Sequence, residues 1–171
     1  GLGDVYKRQT HILAERGKLR LLDPVSLYIP EFKSWVSEDG KDKKIIRIAD
    51  LLTHTSGLPP YAPTSELEKQ YGSPSPDGMI EYIANCHRDF KPQTDFQYSC
   101  LNYITLQRII ETVSGQSLRD FARENIFDVL GMAHTDYLPC RRDKNGEWIN
   151  TALPFQLKDI APTEKQPGGQ V

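Results

Sequence analysis

Apolar side chains recur at Tyr103, Leu106, Ile110 and Val113, with Ile109 widening the stripe, so the chain after Ser99 predicts an amphipathic helix. Ser99 is the natural N-cap of that helix and Ser114-Gly115 its C-terminal stop. The same period marks a second helix over Asp77 to Cys86, with Met79, Ile80 and Ile83 on one side. Ala49 to Thr53 reads as a short helix before a Ser56-Gly57 turn, and residues 11 to 16 as the tail of another. Ser117 with Asp120 forms a capping-box pattern that opens a helix with Leu118, Phe121, Ile126 and Phe127 facing inward. Beyond Gly131 the pattern weakens. Asp143 to Gly146 ahead of Trp148 predicts a hairpin, with Lys144-Asn145-Gly146 in its turn.

Composition narrows the class without naming a chemistry. The 171 residues are 38% hydrophobic, enough for one domain with a core, and carry a formal net charge of −2, which gives no pull toward nucleic acid. The basic cluster Lys41, Lys43 and Lys44 around Asp42 reads as a solvated turn. No apolar run approaches the roughly 18 residues that cross a bilayer. Proline and glycine concentrate at Pro59 to Pro63 and Gly72 to Pro76, which punctuate one domain rather than link two. Cys86, Cys100 and Cys140 with His11, His54, His87 and His134 show no Cys-x-x-Cys and no His-x-x-x-His, so neither a metal nor a cofactor is expected. The lack of a Gly-rich phosphate loop argues against a nucleotide enzyme.

Candidate chemistry sits at Tyr98. A phenol immediately before a helix cap lies near the positive end of the helix dipole, where ionisation is favoured, and it is positioned to exchange a proton.

The stretch Tyr98-Ser99-Cys100-Leu101-Asn102-Tyr103 through Tyr137 resembles the central part of the serine beta-lactamase and penicillin-binding-protein superfamily, in particular its class C-like and esterase-like members. Four other segments, in the family's order, carry the same resemblance: Gly17-Lys18-Leu19 with Leu22 to Phe32, Leu51-Leu52-Thr53-His54-Thr55-Ser56-Gly57-Leu58-Pro59, Leu130-Gly131-Met132 with Thr135, and Ile160 to Glu164. The resemblance covers residues 11 to about 171. It implies an α+β fold of which this chain is mainly the helical lobe, most of the antiparallel sheet being missing.

That family works with three motifs. The first, Ser-x-x-Lys, holds the nucleophile and the lysine that helps take its proton; it is absent here. The third, Lys-Thr-Gly or His-x-Gly, is absent too. The second, Tyr-x-Asn, falls on Tyr98, Ser99 and Cys100. By resemblance Tyr98 is the catalytic acid–base group, with a pKa depressed by neighbouring cations and the helix end, and Cys100 occupies the substrate-binding asparagine's place. A thiol is a weaker partner than an amide for both a substrate carbonyl and a lysine. Asn102, about 200° further round the helix, does not inherit that role. By resemblance the string around His54 is structural, positioning loops beneath the pocket.

Residues 1–9 show no apolar periodicity and read as a translated adapter scar, leaving 10–171 as an incomplete, central portion of a beta-lactamase-like domain. The resemblance implies a bacterial parent, periplasmic or extracellular, that hydrolyses an ester, a D-amino-acid peptide or a lactam through an acyl-enzyme, with this portion inactive by itself. A non-catalytic member of the fold that binds peptidoglycan-like ligands or a partner is the alternative. The expected partner is a small-molecule or peptide substrate; the oligomeric state is left open.

Overall fold

The computed structural model describes residues 2–72, 76–132, 135, 140–142 and 148–150. Helix α1 spans Leu2–Glu15. A short hairpin of β1, Trp35–Val36, and β2, Lys43–Lys44, follows, paired antiparallel with Trp35 opposite Lys44. Then come α2 at Ile48–Leu52, α3 at Thr64–Tyr71, α4 at Pro76–Asn85, α5 at Cys100–Ser114 and α6 at Leu118–Ala122. A second hairpin pairs β3, Cys140–Arg142, with β4, Trp148–Asn150, antiparallel. The described residues are thus mainly a helical lobe with two small antiparallel ladders, an α+β arrangement.

Helix α5 is the hub, packing against α1, α2, α4 and α6. Its apolar stripe explains this: Leu106, Ile109 and Ile110 are fully buried, and each such side chain contributes roughly 2 kcal/mol relative to exposure. Val113, at the far end of the stripe, packs against the core while only half-buried. Helix ends follow their capping residues. The Ser99 hydroxyl accepts from the Leu101 N–H at 3.2 Å, and Gly115 closes the helix in the left-handed conformation at φ 70° with its N–H on the Glu111 carbonyl. Ser117 accepts from the Asp120 N–H at 3.1 Å to open α6.

After Ala122 the helix widens for one turn, Arg123–Phe127, into π geometry, with the Asp128 N–H reaching back five residues to the Arg123 carbonyl. The widening turns Ile126 and Phe127 together into the core beside Leu118 and Phe121, the inward set that the sequence pattern predicts.

Helix α2 is too short to stand by itself and is held by its surroundings. The Asp50 carboxylate accepts the Arg47 N–H at 2.8 Å and the Gln93 side chain at 2.9 Å. The preceding strip, Leu21 to Val25, bonds alongside Ile46 to Ala49. Within that strip Asp23 accepts from the Tyr28 hydroxyl at 2.6 Å and the Arg20 N–H at 2.8 Å. Burial, reinforced by that carboxylate, pushes the Tyr28 phenol up to about 12.

Three departures from the sequence pattern have local causes. Residues 2–9, which show no apolar periodicity, are helical here and bury Tyr6 and Gln9, whose amide donates to the Leu118 carbonyl at 2.8 Å. The basic cluster is divided: Ser37 to Asp42 forms the turn, closed by Ser37 and Asp39, while Lys43 and Lys44 pair as a strand. Helix α3 arises where the sequence shows no stripe, since Leu67 alone among its residues is buried. The predicted turn Lys144-Asn145-Gly146 lies outside the described residues, although the strands on either side pair as expected.

Candidate active site

The site is built by stitching residues 97–100 onto residues 54–60. The Gln97 N–H donates to the His54 carbonyl at 3.0 Å, the Ser99 hydroxyl to the Pro59 carbonyl at 2.6 Å, and the Cys100 N–H to the Pro60 carbonyl at 3.1 Å. Below them, the Asp89 N–H bonds the Gly57 carbonyl and the Gln93 N–H the Thr55 carbonyl. The entrance to α5 is therefore held by a loop some forty residues earlier in the chain.

That loop needs two special backbone positions. His54 sits at φ 58°, in the left-handed region. Gly57 sits at φ 79°, and a Cβ there would lie 2.3 Å from the Phe90 carbonyl oxygen, so only glycine fits.

A polar chain runs through the interior of this junction. The Leu58 N–H donates to the Ser56 hydroxyl at 3.1 Å, and that hydroxyl donates to the Asn102 side-chain carbonyl at 2.6 Å. The Asn102 amide nitrogen then lies 3.0 Å from His54 Nδ1, which the Ser99 N–H also approaches at 3.3 Å. Ser56, Ser99 and Asn102 are all fully buried. Asn102 thus points inward, away from the motif position, as its place on the helix predicts. Sequence reasoning did not pair it with His54; the two are 48 residues apart and no local pattern joins them.

Aromatic rings lead from the core to the surface. Tyr6 meets Tyr103 edge-on at 5.9 Å; the His54 ring contacts Tyr103 at 5.1 Å and Tyr98 at 4.7 Å, both tilted. Tyr6 is buried, whereas Tyr98 is 60% exposed. The structure therefore places Tyr98 just outside the helix cap, open to solvent and backed by His54. Phe96 and Tyr61 are exposed as well.

The titration of Tyr98 runs opposite to the family expectation. Its phenol is raised above the ordinary tyrosine value, first by the electrostatic effect of the neighbouring Cys100, then by burial, the hydrogen bond to Cys100 and the nearby Tyr103 and Tyr61. His54 shifts the other way, held below its ordinary value by burial and, secondarily, by the charge of Lys7.

Among the described residues, the remaining cysteines and histidines do not assemble. Cys86 lies 3.0 Å from the buried Arg88 guanidinium, and burial pushes its thiol up despite that cation. His11 and His87 are exposed. His134 and the side chain of Cys140 lie outside the described residues. Among the described residues no group of three His, Cys, Asp or Glu side chains could hold a metal ion, and no helix is long and apolar enough to cross a membrane.

Comparison with known proteins places this arrangement. The chain is 32% identical over 155 residues to the N-acetylmuramyl-L-alanine amidase of Bacillus subtilis, a match that takes in 90% of this chain and 33% of that protein. It spans about a third of the length of the curated relatives it matches. The crystal structure of a beta-lactamase/D-alanine carboxypeptidase from Yersinia pestis superimposes with a TM-score of 0.64 at 26% identity, covering 79% of this chain and 38% of that one. A D-stereospecific amidohydrolase from Streptomyces shares the fold, with a TM-score of 0.68 over 98% of this chain and 53% of its own, at 18% identity. The Beta-lactamase family model matches residues 10–169, a range that takes in the His54 loop and the Tyr98 helix entrance alike, and on that match the chain belongs to the beta-lactamase family.

Proposed function

We propose that this chain is the central portion of a serine hydrolase that forms an acyl-enzyme on an ester, a D-amino-acid peptide or a lactam, and that Tyr98 exchanges the proton of the reaction. The observation that supports this most is the placement of Tyr98: an exposed phenol at the mouth of a 15-residue helix, backed by His54 and joined to the loop at residues 54–60. A group that passes protons to a substrate must be reachable while its ring is held. With its pKa raised, Tyr98 is poised to donate to a leaving group. Its service as a base needs the cation that the lysine of a Ser-x-x-Lys motif would bring, and the relatives' amidase and carboxypeptidase names fit an acyl-transfer chemistry of this kind.

Because the sequence contains no Ser-x-x-Lys, the covalent route has no nucleophile. Incubating the 171-residue chain with a chromogenic lactam or a nitrophenyl ester should give only the buffer rate. Turnover proportional to purified protein would overturn the reading.

One observation favours the second reading, a non-catalytic binder of peptidoglycan-like ligands or of a partner. Cys100, at the position of the motif's asparagine, is a weaker partner than an amide for a substrate carbonyl, and it is the first cause of the raised Tyr98 pKa. Cys100→Asn should therefore bring the Tyr98 phenol down toward the ordinary tyrosine value, read by its ring signals in an alkaline NMR titration. In a longer protein carrying the upstream motif, the same change should alter substrate preference more than stability. An unmoved phenol would remove the thiol from the account.

A further inference from the structure

We propose that His54 is a positioning residue for Tyr98 whose ring accepts from the Ser99 N–H only while the imidazole is neutral, so that acid breaks this bond and shifts the Ser99 end of the site. The proposal rests on the reading of Tyr98 as the proton-exchanging group.

The direction of each hydrogen bond can be assigned in turn. A backbone N–H can only donate, so the Leu58 N–H makes the Ser56 oxygen an acceptor, and the remaining Ser56 proton points to Asn102 at 2.6 Å. This makes the facing Asn102 atom its carbonyl oxygen, and so turns the amide N–H toward His54 Nδ1 at 3.0 Å. The Ser99 N–H, 3.3 Å from the same nitrogen, is a donor as well. Nδ1 thus receives two donors and carries no proton itself, and the neutral ring keeps its hydrogen on Nε2.

An imidazolium would carry hydrogens on both nitrogens, which sets an N–H against two N–H groups. The two donors do not respond alike. The Asn102 side chain can turn over to offer its oxygen, with the Ser56 hydroxyl rotating to suit. The Ser99 N–H has no such option, because a peptide nitrogen never accepts. Protonation of His54 therefore breaks the Ser99 bond in particular, leaving Ser99 held by its hydroxyl on Pro59. Ser99 is the N-cap of α5 and the immediate neighbour of Tyr98, whose ring rests 4.7 Å from the imidazole.

The surroundings oppose a positive charge on this ring. From α1 comes the charge of Lys7, itself paired with Asp4 at 4.0 Å. From α5 come Tyr103 and the Asn102 amide; from the helix entrance come Tyr98, with Cys100 beside its phenol, and the uncharged Phe96. Burial outranks Lys7 in holding His54 below its ordinary value of 6.5. The fold thus binds the His54 proton less tightly than the unfolded chain does. This contribution to stability is fully present above about 6.5 and is lost as the pH falls through the lowered folded value.

The test is an NMR titration of the labelled 171-residue chain from neutral to acid pH. At neutral pH the His54 Nδ1 resonance should be that of an unprotonated nitrogen. As the pH falls, the Ser99 amide and Tyr98 ring signals should shift with His54, at one shared midpoint, while signals from α4 stay fixed. His54→Asn tolerates a positive φ and puts a side-chain oxygen near the place of Nδ1, with nothing to titrate, and should hold both signals flat over the same range. A proton on Nδ1 at neutral pH, or Ser99 and Tyr98 signals unmoved while His54 titrates, overturns the proposal, and the unmutated chain alone decides this. Loss of the Tyr98 role would show separately, as unchanged turnover of Tyr98→Phe in an active longer protein, and would leave the NMR result standing.

Discussion

Tyr98→Phe, placed in a longer reading frame that supplies an upstream Ser-x-x-Lys, should lower kcat and kcat/KM together by about 10²-fold or more. A loss in both by the same factor is the mark of an interaction made in the transition state, as proton transfer to a leaving group is. The fold should survive, because the side chain is mostly exposed and its packing is the ring contact with His54, which phenylalanine keeps. Circular dichroism and the unfolding midpoint should match those of the parent. Unchanged turnover in that active parent would mean that the second motif had been assigned to the wrong tyrosine.

The largest effect on stability is expected at Gly57. Its φ of 79° costs a side-chain-bearing residue about 1 kcal/mol or more. The heavier penalty is steric: a Cβ 2.3 Å from the Phe90 carbonyl oxygen meets backbone, which cannot rotate away. Relief requires moving the loop from residues 89–90, which breaks the Asp89 N–H bond to the Gly57 carbonyl at 2.7 Å. Gly57→Ala should therefore destabilise by roughly 3 kcal/mol or more, read as a fall in the urea midpoint or as loss of cooperative unfolding. A change under about 1 kcal/mol would show that the loop can part from Phe90 without consequence.

The contrast between these two residues shows what a sequence can disclose. Helix α5 was legible because three independent signals coincide: a Ser cap, a Gly stop and an apolar stripe over Tyr103 to Val113. Tyr98 was legible by its place before that cap. The two-residue strands of the first hairpin were not, since Trp35–Val36 and Lys43–Lys44 are too short for alternation to register. The amino-terminal half of α1 was missed for a different reason. Its buried residues, Tyr6 and Gln9, include a polar side chain satisfied by the distant Leu118 carbonyl, which looks like a surface residue until its partner is known. The same blindness hid the partnership of His54 with Asn102, because side-chain hydrogen bonds between distant residues carry no period. The raised Tyr98 phenol was not legible either, because its first cause is the thiol two residues on, which the sequence reading did not weigh beside the cations and the helix end.

The junction between residues 54–60 and 89–100 divides its labour unequally, and that division bears on how much each side can change. On the first side, His54 supplies a ring nitrogen, Ser56 a hydroxyl, and Gly57 the room for a passing backbone. Each depends on the side chain, or on its absence, so this side is spelled in a narrow set of letters. On the second side, residues 89, 93 and 97 hold the loop through their backbone N–H groups, which every amino acid but proline provides. Those three bonds therefore ask little of the side chains that make them, whereas Ser99 holds its share of the junction through a hydroxyl. The string around His54 and the backbone run from residue 89 to 97 are two faces of a single contact, and a search by spelling finds only the first.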